Sequence, residues 1–429
     1  MARQARFTLM QTLRGTLLRP RSMLDCQVMP DAMLRIGEDG RIAEIGDKVG
    51  GGGAEKGDEG CWILPGFVDA HLHLPQWDRR GIDGLSLFEW QQKIGFPAEE
   101  RFQDLATAQR LAEEFVTGVI ANGTTTVAAI GSSFAQEIDS SFAIFARRGL
   151  RAIYGMTLHD METPAPLRQV ADEALDASRT LAAKWHGAEN GRLRYAFGPR
   201  ASVRCSERLM RGSAVLAEML DCYIQTHIAE SLEELTVVRE KFPDQVDEVD
   251  LFREFGLFTR RSLLAHGVFL RHEQLRRVAD CGATLIHCPT ANLFRESGMM
   301  DYLAHRSGGI RLALGSSVAG GFEPFMPRVA VEALQTIKAI KVHSLPRCST
   351  QTPAPAEAWW LLTAGAATAL GMGDRTGSLE VGFEADCLVV RPEKWIADLP
   401  PQQQISALLY TMSPQQIEHV FIAGKRVGP

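Results

Sequence analysis

Eight short apolar runs, most followed by a longer stretch with helical spacing, fill the middle of this 429-residue chain and leave few folds open. The runs fall at 63–71, 124–130, 151–158, 193–198, 222–227, 263–266, 283–287 and 310–315. Between them lie segments such as ERLMRGSAVLAEML at 207–220, where apolar side chains recur every three or four residues. Strands alternating with helices make parallel βαβ units, and eight such units close into a (β/α)8 TIM barrel, an α/β fold. The competing architecture, a doubly wound open sheet, is disfavoured because no GxGxxG loop follows the first run.

The two ends of the chain resemble each other. MLRIGEDGRIAEI at 33–45 alternates about Asp-Gly, and EHVFIAGKRV at 418–427 alternates about Ala-Gly-Lys, so both read as β-hairpins. Gly50 to Gly53 separate the first hairpin region from CWILPGFVDAHLHL, and GSLEVGFEADCLVV at 377–390 resumes short strands after a helical segment around 355–370. These patterns predict a small β-sandwich assembled from both termini, 1–64 and 376–429, with the barrel at 65–375 inserted between them.

Composition narrows the partners. A net charge of -6 with no basic stripe argues against nucleic acid. No apolar stretch is long enough for a membrane span, and MARQARFTLMQTLRGTLL breaks its apolar run with charge, unlike a signal peptide. Eight scattered cysteines without a CxxC pair fit a reduced, cytoplasmic setting.

In a barrel of this kind chemistry gathers at the carboxyl ends of the strands. His71 and His73 end the first expected strand, and His227, His266 and His287 end the fifth, sixth and seventh. Side chains two apart on a strand share a face, so HLH aims two imidazoles together while Leu72 turns away. A lone strand-end histidine is more often a hydrogen-bonded core residue, but repetition at several strand ends points to a zinc site. Glu230, three residues after His227, has the place of a carboxylate that passes protons beside a metal. Alone, such a glutamate more often complements a helix dipole. Gln76 and Arg200 offer the donors and acceptors that read a heterocycle, although singly either is as readily structural. HCPTANL at 287–293 supplies a turn and an Asn amide to the site, or a purely structural loop.

PGFVDAHLHLPQ, THIAE, AHG, HCPTANL and the glycine turn at 314–321 together resemble the amidohydrolase superfamily. LFEWQQKIGFPAEERFQD at 87–104, NGTTT, GPR with CSERLM, and HCPTANLFRESGM are most similar to its guanine-deaminating branch. The resemblance implies a barrel with a flanking β-sandwich, commonly in a homodimer. It implies one zinc ion per subunit with His71, His73 and His227 as ligands, Glu230 as proton shuttle, and His266 touching water or substrate. Gln76 and Arg200 would hold a small purine, and the reaction would be hydrolysis of guanine to xanthine and ammonia.

Two residues depart from that pattern. Ala201 stands where the family has an aromatic residue after the arginine, which removes a stacking face. Ser317, in GSSVAGG, stands where the family has an aspartate that ligates zinc and takes the first proton. A neutral hydroxyl is a poor substitute in either role. Ser317 therefore leaves open an impaired enzyme or a non-catalytic heterocycle binder, and Ala201 leaves open an amino- or chlorohydrolase of another ring, such as a pterin or triazine.

Overall fold

The computed structural model describes residues 11–47, 56–200, 202–343 and 352–428. The Gly50–Gly53 run and Ala201 lie outside them. Eight parallel strands follow one another in chain order around the barrel. They are Phe67–His73, Thr124–Ile130, Arg151–Gly155, Leu193–Pro199, Tyr223–Ile228, Ser262–His266, Thr284–His287 and Arg311–Leu314. The third, expected over 151–158, is interrupted at Met156, and its continuation Thr157–Leu158 pairs separately with the fourth. The seam between the eighth strand and the first is closed by the residues just beyond Leu314. The Ser317 N–H donates to the His71 carbonyl at 2.8 Å, and the His73 N–H to the Val318 carbonyl at 2.7 Å.

The first expected strand, 63–71, proves to be two. Trp62–Pro65 belongs to the terminal sheet and Phe67–His73 to the barrel, with Gly66 as the joint. A Cβ at Gly66 would lie 2.1 Å from the Thr125 hydroxyl oxygen, so no side chain fits where the chain passes from one sheet to the other. An uninterrupted apolar run carries no mark of that transfer.

Small side chains fill the base of the barrel, among them Val68, Ala70, Ala128, Ala196 and Ala313, with the helix Ala364–Ala369 packed beneath. Tyr223 Oη donates to the Leu370 carbonyl at 2.7 Å and Thr284 Oγ1 to that of Ala369 at 2.9 Å, tying two strand starts to this plug. The outer helices bury their apolar stripes against the other strand faces. Glu207–Met219, for example, buries Leu209, Met210, Ala214 and Ala217, and Ser206 caps it by accepting from the Leu209 N–H at 3.2 Å.

The terminal β structure is one seven-stranded sheet. Its order across the sheet is Lys425–Arg426, Ile417–Ile422, Cys387–Val390, Trp62–Pro65, Gln11–Ser22, Asp25–Ile36 and Ile42–Gly46. Both expected hairpins are present; Ala423 and Gly424, at φ 46° and 73°, form the tight turn of the second. The long strand Gln11–Ser22 carries no regular alternation and was not legible in the sequence. The sheet curls: the Ile42 N–H donates to the Phe383 carbonyl at 2.8 Å and the Ala385 N–H to that of Gly40 at 3.0 Å. The edge hairpin thus meets the segment leading into Cys387–Val390. Arg151 ties barrel to sheet: fully buried, it donates to Asp386 Oδ2 at 2.8 Å and Glu384 Oε2 at 2.6 Å. No helix among the described residues is long and apolar enough to cross a membrane, and the seven described cysteines are all unpaired.

Candidate active site

Strict alternation along the first barrel strand would point His71 and His73 to the face opposite Val68 and Ala70. The pairing register with Thr124–Ile130 slips between Asp69 and Leu72, a bulge that reverses the parity. Val68 and Ala70 therefore fill the barrel below while both imidazoles turn inward above them, and Leu72 packs outward. Asp69 steadies the bulge. Its carboxylate accepts from the His71 N–H at 3.3 Å, the Ser316 N–H at 2.9 Å and the Ser316 hydroxyl at 2.5 Å. Burial pushes the Asp69 pKa up to about 7 against the pull of these bonds. A single acid inside the apolar run ILPGFVDAHLHL is the sequence signal that could have marked it.

Four imidazoles converge at this end. His71 meets His73 and His227 edge-on with ring centroids 5.0 Å apart in each case, and His227 stacks on His266 at 5.4 Å. The potential ligand atoms of His71, His227 and His266 all lie within 4.8 Å of one another, and His227 Nε2 is 3.3 Å from His73 Nε2. Two ligands of one tetrahedral ion with bonds of 2.0–2.1 Å stand ~3.3 Å apart. His71 Nε2 is buried without a hydrogen-bond partner. Burial, reinforced by the crowding of the histidines on one another and by Arg200, holds His71, His73 and His227 well below the usual histidine range, so they are neutral and offer lone pairs. The donor set fits a metal ion.

His266, at φ 75°, ends the sixth strand in a left-handed conformation. Its Nδ1 faces the Asn292 side-chain oxygen at 2.7 Å, so the ring proton sits on Nδ1 and the Nε2 lone pair points into the site. Glu230 Oε2 lies 3.6 Å from that Nε2. Burial raises the Glu230 pKa to about 7, while Arg200 and Arg295 oppose the rise. Behind it, the Glu230 N–H donates to Glu234 Oε2 at 2.9 Å, and the Ala229 N–H donates to Glu248 Oε2 at 2.9 Å. Burial also raises the pKa values of Glu234 and Glu248, each further lifted by the next carboxylate in the row. Spacing on the helices after the fifth strand did not mark these two acids, because only the tertiary fold brings them under Glu230.

A narrow cavity adjoins these groups, lined by Phe88, Gln91, Arg200, Arg204, His227 and Glu230 among others. Arg200 is buried, and its Nη1 donates to Glu99 Oε2 at 3.1 Å. Arg204 lies over the Phe96 ring at 4.8 Å and donates to Gln91 Oε1 at 2.6 Å. Gln76 is buried in the turn Leu74–Arg79 but is not among the residues lining the cavity. Ser317, buried at φ 47°, abuts the His71 strand through its backbone bond. The structure thus gathers His71, His73, His227, His266 and Glu230, sets Arg200 on the same cavity, and holds Gln76 one turn away. Nothing in the sequence marks Phe88 or Glu99, the partner of Arg200, as part of the site, although both lie in the segment 87–104.

The sequence profile of the Amidohydrolase family matches residues 62–427. A probable guanine deaminase of Deinococcus radiodurans is 31% identical over 97% of this chain and 98% of its own length. The guanine deaminase of Escherichia coli K12 is 31% identical over 85% of this chain and 79% of its own. The solved structure of the E. coli guanine deaminase superposes with a TM-score of 0.90 at 26% identity, covering 97% of this chain and 99% of the other.

Proposed function

We propose that this chain, which belongs to the amidohydrolase family, hydrolyses the 2-amino group of guanine to give xanthine and ammonia. The observation that carries this reading is the meeting, beside one small cavity, of four neutral imidazoles, a buried carboxylate of raised pKa and a buried guanidinium. Similarity to guanine deaminases along nearly the whole chain supports guanine as the substrate. The alternatives, a non-catalytic binder and a hydrolase of pterin or triazine rings, are not favoured. A binder has no use for this joint geometry, and the relatives named above, 31% identical over 97% and 85% of this chain, are guanine deaminases.

The ion is taken to be one zinc per chain, with His71, His73 and His227 among its ligands. When bound it supplies Lewis-acid chemistry, lowering the pKa of a water held among the imidazoles towards neutrality. The remaining work falls to side chains. Glu230 accepts a proton from the attacking water as the water oxygen bonds to C2 of guanine and the C2=N3 electrons move to N3. Glu230 delivers that proton to N3, leaving a tetrahedral carbon. It then carries the second hydroxyl proton to the amino group, the C–N bond breaks, and ammonia leaves as the new carbonyl forms. Arg200 donates to the purine's existing carbonyl oxygen, with Gln76 reading the ring from the turn behind it. Phe88 offers an apolar ring on the wall of the cavity. The raised pKa of Glu230 matches a group that must both accept and release a proton near neutral pH.

We take the protein to act in purine breakdown in the cytoplasm, as a homodimer; light scattering on the purified chain checks the last point. The substrate reading is tested by steady-state rates of zinc-loaded protein on guanine, a pterin and an aminotriazine. Guanine is expected to be turned over at least about tenfold more efficiently than either ring. Turnover of the others with none of guanine overturns the reading.

A further inference from the structure

Ser317 removes the acidic donor that the family pattern adds to three histidines, and the structure shows where a replacement stands. The loop that closes the barrel seam, Gly315 to Ala319, contains no acid. The nearest carboxylate on the first strand, Asp69, is engaged on both oxygens, by the Ser316 N–H, the Ser316 hydroxyl and the His71 N–H. Glu230 Oε2 lies 3.6 Å from the His266 Nε2 and is assigned above to moving protons. His266 is differently placed. It belongs, with His71 and His227, to a group of three histidines that each offer a ring nitrogen within 4.8 Å of the others.

We infer that His266 is the fourth protein ligand of the metal, so that His71, His73, His227 and His266 form an all-histidine site in place of three histidines and an acid, with a fifth position left to water. This rests on the metal reading given above. Three observations carry it. Asn292 Oδ1, 2.7 Å from Nδ1, fixes the tautomer that leaves Nε2 as a lone-pair donor, the arrangement that orients metal-bound imidazoles in general. Both Asn292 and His266 are buried, so the ring is held in place before any ion arrives. The ligand atoms of His71, His227 and His266 need to close by at most about 1.5 Å to reach the ~3.3 Å spacing of ligands on one small ion, and His73 Nε2 already stands 3.3 Å from His227 Nε2. That is a side-chain adjustment with no change of fold.

The consequence is a change of roles. An imidazole donor adds no negative charge, so the ion keeps its full positive charge and acidifies water more strongly than beside a carboxylate. The task of taking the first proton, which Ser317 cannot perform, falls to Glu230 alone. His266 acts on the reaction through the ion and not as a proton carrier.

X-ray absorption at the zinc edge of the full chain, loaded with zinc alone, counts the imidazoles directly. Four nitrogen ligands at 2.0–2.1 Å are expected. In His266→Gln the count is expected to fall to three and zinc affinity to drop by at least the roughly 10–100-fold typical of losing even an outer partner of a ligand. Adding Ser317→Asp to that variant is expected to restore tight binding with three imidazoles and one oxygen. Three imidazoles in the unsubstituted chain, which needs no variant to fold, overturn the inference while leaving the metal reading intact. Unchanged affinity in His266→Gln also overturns it. Failure of the unsubstituted chain to take up zinc overturns the metal reading itself, and this inference with it.

Discussion

Replacing Glu99 by Gln is the substitution whose effect can be worked most fully from the structure. Arg200 Nη1 donates to Glu99 Oε2 at 3.1 Å, and the two side chains are 5% and 1% exposed. The other Glu99 oxygen has no hydrogen-bond partner, and His159, unpartnered at both nitrogens, stands 3.8 Å away. Gln keeps the shape and an acceptor oxygen but removes the charge that balances the guanidinium. Breaking a buried ion pair costs ~3–5 kcal/mol when the remaining charge is sealed from water, whereas a single charge-assisted hydrogen bond is worth ~1.5–3 kcal/mol. The lower range applies, because Arg200 lines the cavity and feels the field of Glu230. At 1.36 kcal/mol per decade this is a loss of about 10–150-fold in kcat/KM for guanine. The assay compares guanine with 2-aminopurine, which lacks the carbonyl that Arg200 would hold. Glu99→Gln should narrow the preference for guanine by the same factor, and the double variant with Arg200→Met should be no worse than Arg200→Met alone. A folded Glu99→Gln protein that discriminates as well as the unsubstituted chain refutes the reasoning.

Glu230→Gln should lower kcat by ~10²–10⁴-fold with zinc content unchanged, measured by xanthine formation beside metal analysis. A carboxyl with a pKa of about 7 is protonated, and so unable to accept, on the acid side. The rate of the unsubstituted chain should therefore rise through about pH 7 and level off above it, and Glu230→Gln should lose that limb. Arg151→Met takes from buried Asp386 its ion-pair partner at the joint of barrel and sheet, while Glu384 keeps Arg375, and should cost ~3–5 kcal/mol in urea unfolding. At Gly315 a Cβ would stand 2.8 Å from the His71 Cβ, so Gly315→Ala should displace that imidazole and weaken zinc binding, read by competition with a chelator.

Much of this architecture was legible in the sequence because the signal was periodic and local. Eight apolar runs separated by helical stretches specify a barrel, and HLH with later strand-end histidines specifies where its chemistry lies. What escaped was non-local. The bulge at Asp69–Leu72 comes from pairing with the second strand, so alternation alone gives the two imidazoles no reason to share an interior with Val68 and Ala70. The division of the first run at Gly66 comes from contact with Thr125, and the stacking of Glu230, Glu234 and Glu248 from the folding of two helices over one strand end. Ser317 was visible as an anomaly, but its neighbours were not: only the seam geometry shows Asp69 already spoken for and His266 within reach.

The most direct test of the account mixes the full chain, its bound metal counted beforehand, with an equal amount of guanine and measures ammonia and xanthine together. One zinc per chain and equimolar appearance of the two products are expected, with both lost when a chelator removes the ion and regained when zinc is returned. A chain that holds its zinc and binds guanine yet releases no ammonia would contradict the claim that this site, with serine at position 317, is a working deaminase.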